Sequence, residues 1–110
     1  MKRVLALAFC VLAAAPVAAQ AQRVSKVNGN RLLSLCSASD VKGCDAYVAG
    51  VADALAEAGE IRQACIPVSV TTDQLRDVLL KYLHNEPENR EMPGGRLAVR
   101  AFTKAWPCHK

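Results

Sequence analysis

The sequence predicts an all-α protein, a small bundle of about four helices stapled by disulfide bonds. Apolar residues recur at helical spacing in several segments, and no segment shows the strict alternation of a strand over a useful length. Outside the apolar N-terminal stretch, which contains Cys10, the chain has four more cysteines. An even set in a small exported chain is typical of a disulfide framework. The four are Cys36, Cys44, Cys65 and Cys108.

Residues 1–21 have the three parts of a secretory signal peptide. Two basic residues follow the initial Met, an apolar run extends from Val4 to Ala15, and Ala19-Gln20-Ala21 supplies a small-x-small cleavage site. The apolar run is shorter than the ~20 residues that a membrane-spanning helix needs, and polar residues end it. We therefore expect a mature chain that starts at Gln22, resides in the periplasm and has no membrane segment after cleavage.

The charge of the chain does not indicate a nucleic-acid partner. The formal net charge is +4 over 110 residues, and it falls by two when the basic pair of the leader is removed. An exported protein would also rarely meet nucleic acid. The remaining ~89 residues make one domain of a size that buries only about 60–65% of its unfolded surface, so covalent cross-links are expected to matter.

A polar arm and a short helix are predicted to follow the leader. Residues 22–28 are polar and predict a flexible arm, after which the side chain of Asn30 is predicted to cap the first helix. The apolar residues of this helix are Leu32, Leu33, Leu35 and Cys36. A polar turn over residues 37–43 is expected to end it.

The second helix is predicted from about Cys44 to Gly59, because glycine commonly ends a helix. Its apolar face consists of Cys44, Tyr47, Val48, Val51, Leu55 and Ala58. Its acidic residues lie largely off that face and indicate a solvated surface rather than paired catalytic carboxylates. They are Asp45, Asp53, Glu57 and Glu60. A separate stripe of small residues consists of Ala46, Gly50 and Ala54.

The third helix has the clearest predicted start. Thr71 is followed three residues later by Gln74, which is the spacing of a capping box, and Asp73 complements the positive end of the helix dipole. The predicted buried stripe of this helix is Leu75, Val78, Leu79, Tyr82 and Leu83.

Residues 85–95 predict a surface loop, because prolines, glycines and charged or amide side chains alternate there. Helix connections in bundles commonly take ~2–8 residues, so this loop is longer than its turn requires. A fourth helix follows and ends at Pro107, with inward residues Leu97, Ala98, Ala101, Phe102 and Ala105. Its outward basic row is either a solvated face or a patch for an acidic partner protein or peptidoglycan carboxylates. This secondary basic face is Arg96, Arg100 and Lys104.

The four cysteines allow three pairings. Cys36 and Cys44 are joined by a short turn between consecutive helices, which brings them close together. A Cys44–Cys65 bond would require the chain after Gly59 to double back along a helix of about 22 Å. If the third and fourth helices form an antiparallel hairpin, Cys65 lies beside Cys108. The sequence therefore favours Cys36–Cys44 together with Cys65–Cys108.

The sequence contains no recognisable catalytic or metal-binding constellation. The two histidines, His84 and His109, lie beside a polar loop and in the C-terminal tail. A zinc site would need several closely spaced ligands, and a Cys–His nucleophilic pair would need a free thiol. We therefore predict a protein that is not an enzyme, with no cofactor and no metal.

An ordered set of short motifs identifies a family resemblance. The motifs are Gly29-Asn30-x-Leu32-Leu33-x-x-Cys36, Cys44-x-x-Tyr47-Val48-x-Gly50-Val51-x-Asp53-Ala54, Cys65-Ile66-Pro67, Gln74-Leu75-x-x-Val78, Lys81-Tyr82-Leu83, Pro87-Glu88 and Ala105-Trp106-Pro107-Cys108. With four cysteines in register, this set resembles the Tai family of periplasmic immunity proteins against amidase effectors of type VI secretion. Residues 29–108 are accordingly interpreted as a Tai-like immunity domain. In two departures, Glu86-Pro87 stands where the family often has His-Pro, and Gly94-Gly95 replaces alanines.

The resemblance implies a small helical protein that dimerises and places its third-to-fourth helix loop in the cleft of a peptidoglycan amidase. The implied partner-binding residues are Asn85, Glu86, Glu88, Arg90 and Glu91. The small-residue stripe, and Leu80 off the main buried stripe, also favour a homodimer. The alternative is an exported helical envelope-stress protein or acid chaperone that has no effector partner. It would suppress aggregation of unrelated clients, whereas an immunity protein would form a tight stoichiometric complex.

Overall fold

The structure is a computed structural model that describes residues 26–109. The predicted leader and residues 22–25 of the predicted arm lie outside these residues. The helices are α1 (Gly29–Ser37), α2 (Lys42–Ala56), α3 (Thr72–Asn85) and α4 (Gly94–Ala105), with short 3-10 helices at Gly59–Ile61 and Pro87–Asn89. Two isolated bridges are the sole β-type pairings within 26–109. The all-α prediction is confirmed.

One hydrophobic core lies between the four helices, and α3 packs against the other three. The largest side chains that are fully enclosed there are Phe102, Leu32, Leu79, Leu83, Leu97 and Val48. No described polar or charged residue is buried. No helix in the described part of the chain is long and apolar enough to cross a membrane.

The start of α1 differs from the sequence prediction. Asn28, not Asn30, is the N-cap, and its side-chain oxygen accepts a hydrogen bond of 2.9 Å from the Arg31 amide. Asn30 lies inside the helix, where its side-chain amide donates to Glu91 at 2.7 Å. The prediction of Asn30 as the cap is wrong because the helix already begins at Gly29, and the contact with the distant Glu91 gives Asn30 another role.

Helix α2 begins and ends earlier than predicted. It begins at Lys42, with the amide of that residue bonded to Asp40 at 3.0 Å, and it ends at Ala56. Gly59 lies three residues beyond, at the start of a 3-10 helix and with a φ of 60°, the left-handed region that favours glycine. The prediction that Gly59 ends the second helix is therefore wrong by three residues, because the left-handed glycine lies in the 3-10 helix that follows Ala56.

Helices α3 and α4 follow the predictions more closely. The Thr71–Gln74 capping box is confirmed, with hydrogen bonds of 3.2 and 2.8 Å in the two directions. The prediction that Ala105 points inward is wrong, because Ala105 is the last residue of α4 and is exposed. The helix is still intact at that point, since the Trp106 amide donates to the Phe102 carbonyl at 2.8 Å.

Both favoured disulfides are present in the structure. Cys36–Cys44 joins the end of α1 to the first turn of α2, and Cys65–Cys108 joins the segment before α3 to the segment after α4. The Cys65 amide also donates to the Trp106 carbonyl at 2.8 Å. The far end of the α3–α4 hairpin is therefore closed by a covalent bond and a backbone hydrogen bond.

One ion pair ties α2 to α3. Arg76 donates hydrogen bonds to the carboxylates of Asp45 and, at 3.0 Å, of Asp73. The hydrogen bond to Asp45 is the main cause that raises the pKa of Arg76 above its ordinary value. Asp45 is thus a helix-pairing residue rather than part of an unpaired acidic face.

Candidate functional site: the loop between α3 and α4

The α3–α4 loop, residues 86–93, is folded rather than extended. Glu86 follows the end of α3, a 3-10 helix occupies Pro87–Asn89, and a turn leads to Pro93. Within it, the Asn89 amide donates to the Glu86 carbonyl at 3.1 Å and the Met92 amide donates to the Asn89 carbonyl at 2.9 Å. Pro87 presets the backbone at the first position of the 3-10 helix.

The start of α1 holds this loop in place. The Gly29 and Asn30 amides donate to the carbonyls of Met92 (3.2 Å) and Arg90 (3.1 Å). The first amides of a helix have no partner inside it, so the loop carbonyls satisfy groups that would otherwise need water. In return, the Val27 carbonyl accepts a hydrogen bond of 2.9 Å from Gly94, the first residue of α4. Residues 27 and 28 of the predicted arm are therefore bonded to the loop.

The close approach of α1 to the loop requires glycine at position 29. A Cβ atom there would lie 2.5 Å from Leu97 Cδ1 and 2.8 Å from the Cα and carbonyl oxygen of Arg90. The backbone of Arg90 cannot give way as a flexible side chain could. Gly29 thus permits the contact that shapes the loop.

The five implied partner-binding residues have different environments. Arg90 is half-buried, and its Nε donates to the Leu83 carbonyl at 2.8 Å, which satisfies one of the last carbonyls of α3. Glu91 accepts the hydrogen bond from Asn30, and Glu86 accepts one of 3.3 Å from the Asn89 side chain. Asn85 and Glu88 are exposed. The loop therefore presents Glu88 outward while Arg90 supports it from within, and the contact of these residues with a partner stays a prediction.

The secondary basic face is exposed as predicted. Arg96, Arg100 and Lys104 are all solvent-accessible on one side of α4. Arg100 lies against the loop, with its Nη1 3.6 Å from Met92 Sδ. No described carboxylate forms a salt bridge with these three cations, since the ion pairs of residues 26–109 all involve Arg76.

Two adjoining depressions between α3 and α4 were not anticipated from the sequence. Their volumes are ≈ 260 and ≈ 400 Å³. The first is lined by Val78, Lys81, Tyr82, Asn85, Lys104 and Ala105. The second is lined by Gln63, Tyr82, Glu86, Arg100, Thr103 and Lys104. Because Tyr82 and Lys104 line both, we treat them as one surface, the α3–α4 groove.

The groove was missed because Tyr82 follows the apolar period of its helix and was placed on the buried stripe. Tyr82 is in fact half-buried and packs at the margin of the core. Its pairing with Lys104, 22 residues away, depends on how the two helices are aligned. A tyrosine within an otherwise aliphatic stripe is the only signal in the sequence that could have suggested an amphipathic position.

The residues predicted to favour a homodimer differ in their exposure to solvent. Ala46, Gly50 and Ala54 are exposed on α2, and nothing lies within 4 Å of a Cβ atom placed on Gly50. Leu80, in contrast, is half-buried and packs against the core of its own chain. Leu80 therefore no longer supports a dimer, whereas the α2 stripe is open.

The two histidines lie on the surface. His84 and His109 are both exposed. In residues 26–109, no group of three or more His, Cys, Asp or Glu side chains is arranged to hold a metal ion. All four cysteines of this region are bonded to one another.

This combination describes a small disulfide-bonded helical protein that presents a preformed polar loop, an architecture suited to binding another macromolecule. Residues 28–108 match the family model of the Rap1a immunity proteins. The chain therefore belongs to the Rap1a immunity protein family, a family of type VI secretion immunity proteins whose members bind a cognate effector and are generally not enzymes. The match supports the immunity class that the resemblance implied, but it does not specify Tai. No curated protein and no solved structure matches the chain.

Proposed function

We propose that this protein is a periplasmic immunity protein of the Tai type, which binds and inhibits a peptidoglycan amidase effector of type VI secretion. Membership of the Rap1a immunity family supports the binding of an effector. The amidase activity of that effector comes from the resemblance to Tai, and the periplasmic location comes from the leader. The loop between α3 and α4 is the inhibitory element.

The main observation in support of this proposal is that hydrogen bonds with other parts of the same chain hold the loop in place. Two amides of α1, the Arg90 side chain and the Asn30–Glu91 hydrogen bond hold it from within. A loop that is already ordered loses less conformational freedom when it enters an enzyme cleft, and more of its contact energy appears as affinity. The exposed charges of the loop are the carboxylates of Glu88 and Glu91, and Glu88, to which no described residue donates a hydrogen bond, suits a cationic group near a Cys–His active site.

The test first asks whether a neighbouring gene encodes a Cys–His amidase, and that enzyme is then purified and mixed with the mature protein. We expect a stoichiometric complex and loss of peptidoglycan cleavage. Glu88→Arg should weaken the complex about 30-fold or more, since breaking a desolvated charge pair costs ~2–5 kcal/mol. Glu57→Arg is the matched control, because Glu57 is equally an exposed glutamate but lies after α2. Calorimetric titration measures both variants.

A second variant distinguishes a residue that supports the loop from a residue that contacts the partner. Arg90→Met removes the hydrogen bond to Leu83 and should lower the unfolding temperature as well as the affinity, whereas Glu88→Arg should lower only the affinity. Wild-type affinity for both variants would place recognition outside the loop. Absence of any complex, with suppression of aggregation of unrelated clients at low pH, would favour the acid-chaperone alternative. Cell fractionation that left the protein in the cytoplasm would contradict the proposed location.

A further inference from the structure

We propose that the α3–α4 groove is a second docking surface, which takes an acidic segment of the effector with an apolar side chain beside its carboxylates. The identity of the occupant rests on the proposed function, because the effector is the partner assumed there. The chemistry of the segment rests on the groove itself. Nothing in the family membership or in the loop assigns a role to this surface.

The shape of the groove comes from the regular spacing of two packed helices. Val78, Tyr82 and Asn85 follow one another along α3 at intervals of four and three residues, so they share one face of the helix. Arg100 and Lys104 do the same on α4. Gln63, which precedes the Cys65–Cys108 disulfide, and Glu86, the first residue of the loop, complete the lining. The groove is therefore a preformed feature continuous with the loop.

The rim of the groove is cationic. Lys81, Arg100 and Lys104 line it, and none of the three forms a salt bridge with any described residue. The one carboxylate in the lining, Glu86, already accepts a hydrogen bond from Asn89. Positive charge without an internal partner attracts an acidic segment and fixes its register.

Part of the groove lining is apolar. Val78 and Tyr82 are half-buried there, Ala105 adds an exposed methyl group, and Tyr82 lines both depressions. Tyrosine offers a rigid apolar surface with a polar end, and it is enriched among residues that dominate binding energy. An apolar side chain flanked by carboxylates therefore fits better than a purely charged ligand.

The position of the groove favours a protein segment over peptidoglycan. The groove joins the loop directly, since Glu86 belongs to both surfaces and Asn85, the last residue of α3, lines the groove next to it. A partner that covers the loop would therefore extend into the groove without a gap. A single interface that covers the loop and the groove accounts for both surfaces.

The first experiment tests the groove without the effector. A peptide with one phenylalanine between two pairs of acidic residues is titrated into the ¹⁵N-labelled mature protein and followed by NMR. We expect saturable shifts centred on Tyr82 and Lys104. The amide analogue, with Asn and Gln in place of Asp and Glu, should bind about tenfold more weakly, because it lacks the charges that complement the rim. Equal binding of the two peptides, or shifts centred elsewhere, would overturn the proposal.

A charge-matched pair of variants tests the location. Lys104→Glu should weaken binding of the acidic peptide about fivefold or more, whereas Lys42→Glu should change it less than about twofold. Lys42 is also an exposed lysine, but it begins α2 and does not line the groove. An equal effect of both variants would show that the net charge of the protein acts at a distance, which contradicts binding of the peptide in the groove. The amide spectrum of each variant reports whether it is folded.

The second experiment uses the adjacent amidase with the same variants. Weaker binding of Lys104→Glu, with Lys42→Glu near the wild type, supports the groove as a docking surface for the effector. If Lys104→Glu binds the amidase with wild-type affinity, the effector does not occupy the groove, even if the loop variants fail to bind. If the wild-type protein does not bind the amidase at all, the proposed function fails, and the peptide titration still decides the chemistry of the groove.

Discussion

At the scale of single residues, two glycines of this chain differ in what a side chain would change. At one position it would disturb packing, and at the other it would change only the helix propensity. Gly29 lies where α1 meets the backbone of Arg90, and Gly50 lies in the exposed middle of α2 with nothing within 4 Å of an added Cβ atom. The same change to alanine should therefore have opposite effects at the two positions. The physical difference is whether the new methyl group meets fixed backbone or solvent.

We expect Gly29→Ala to lower the free energy of unfolding by about 1–3 kcal/mol, because the methyl group would overpack the α1–loop contact. Gly50→Ala should raise it by roughly 0.5–1 kcal/mol, since alanine loses less backbone entropy in a helix. Urea unfolding of both variants, followed by circular dichroism, measures the difference. A neutral Gly29→Ala variant would show that α1 can move away from the loop at little cost.

Tyr47 connects a single side chain to the pH dependence of stability. Burial raises the pKa of the Tyr47 phenol above 10.0. The folded protein therefore retains this proton to a higher pH than the unfolded chain, which loses it near pH ~10. The stability that this phenol contributes is fully present below that pH. It is lost as the pH rises through the pKa of the phenol in the folded state.

Tyr47→Phe should accordingly remove part of the alkaline loss of stability. We expect the free energy of unfolding of the wild type to fall relative to that of Tyr47→Phe between about pH 9 and pH 11. Rapid urea unfolding at each pH, before disulfide exchange can proceed, gives the two curves. Curves that stay parallel over this range would contradict a buried phenol at position 47.

At the scale of elements, α1 depends on tertiary support. It has nine residues, and isolated helices shorter than ~12–15 residues are marginal in water. The loop carbonyls bond its first amides, and the Cys36–Cys44 disulfide ties its end to α2. Replacing the whole loop with Gly-Ser would remove support from α1 as well as any partner contacts, so single exposed positions such as Glu88 make the sharper test.

The two disulfides should differ in their effect on stability. In the chain-entropy model, closing the Cys36–Cys44 loop contributes at most about 2.5 kcal/mol and closing the Cys65–Cys108 loop at most about 4 kcal/mol. We therefore expect the double variant Cys65→Ala/Cys108→Ala to lose more stability than Cys36→Ala/Cys44→Ala. Guanidinium unfolding under non-reducing conditions compares them. The reverse order would show that packing of the buried Cys36 and Cys44 sulfurs outweighs loop closure.

At the scale of the whole molecule, the open side of α2 bears on oligomeric state. The exposed stripe of Ala46, Gly50 and Ala54 permits a second helix to approach closely, and the resemblance to Tai implies a homodimer. We expect a dimeric mass by light scattering after size-exclusion chromatography at micromolar concentration. Gly50→Leu should shift the mass towards the monomer, because its side chain would separate the helices. Ser34→Leu, on an exposed position of α1, is the control. A monomeric wild type would remove the dimer from the inhibitory mechanism.

Local patterns were sufficient to predict the helices and the disulfide framework. The Thr71–Gln74 capping box depends on residues three apart, and the alternation of apolar and charged positions in α4 depends on one helical period. Such features involve neighbours in the chain, so the sequence determined the all-α class, the four helices and the Cys36–Cys44 pair. The Cys65–Cys108 pair followed only with the added assumption that the third and fourth helices form an antiparallel hairpin.

Tertiary structure decided the features that depend on distant residues. The Asn30–Glu91 hydrogen bond, the internal role of Arg90 and the groove between Tyr82 and Lys104 each require two segments to meet in a particular register. Hydrogen-bond partners and surface concavities are properties of that register and not of any single segment. Helical periodicity states which face of a helix is buried. It does not state which residue of another helix lies opposite, because that depends on the packing of all four helices at once.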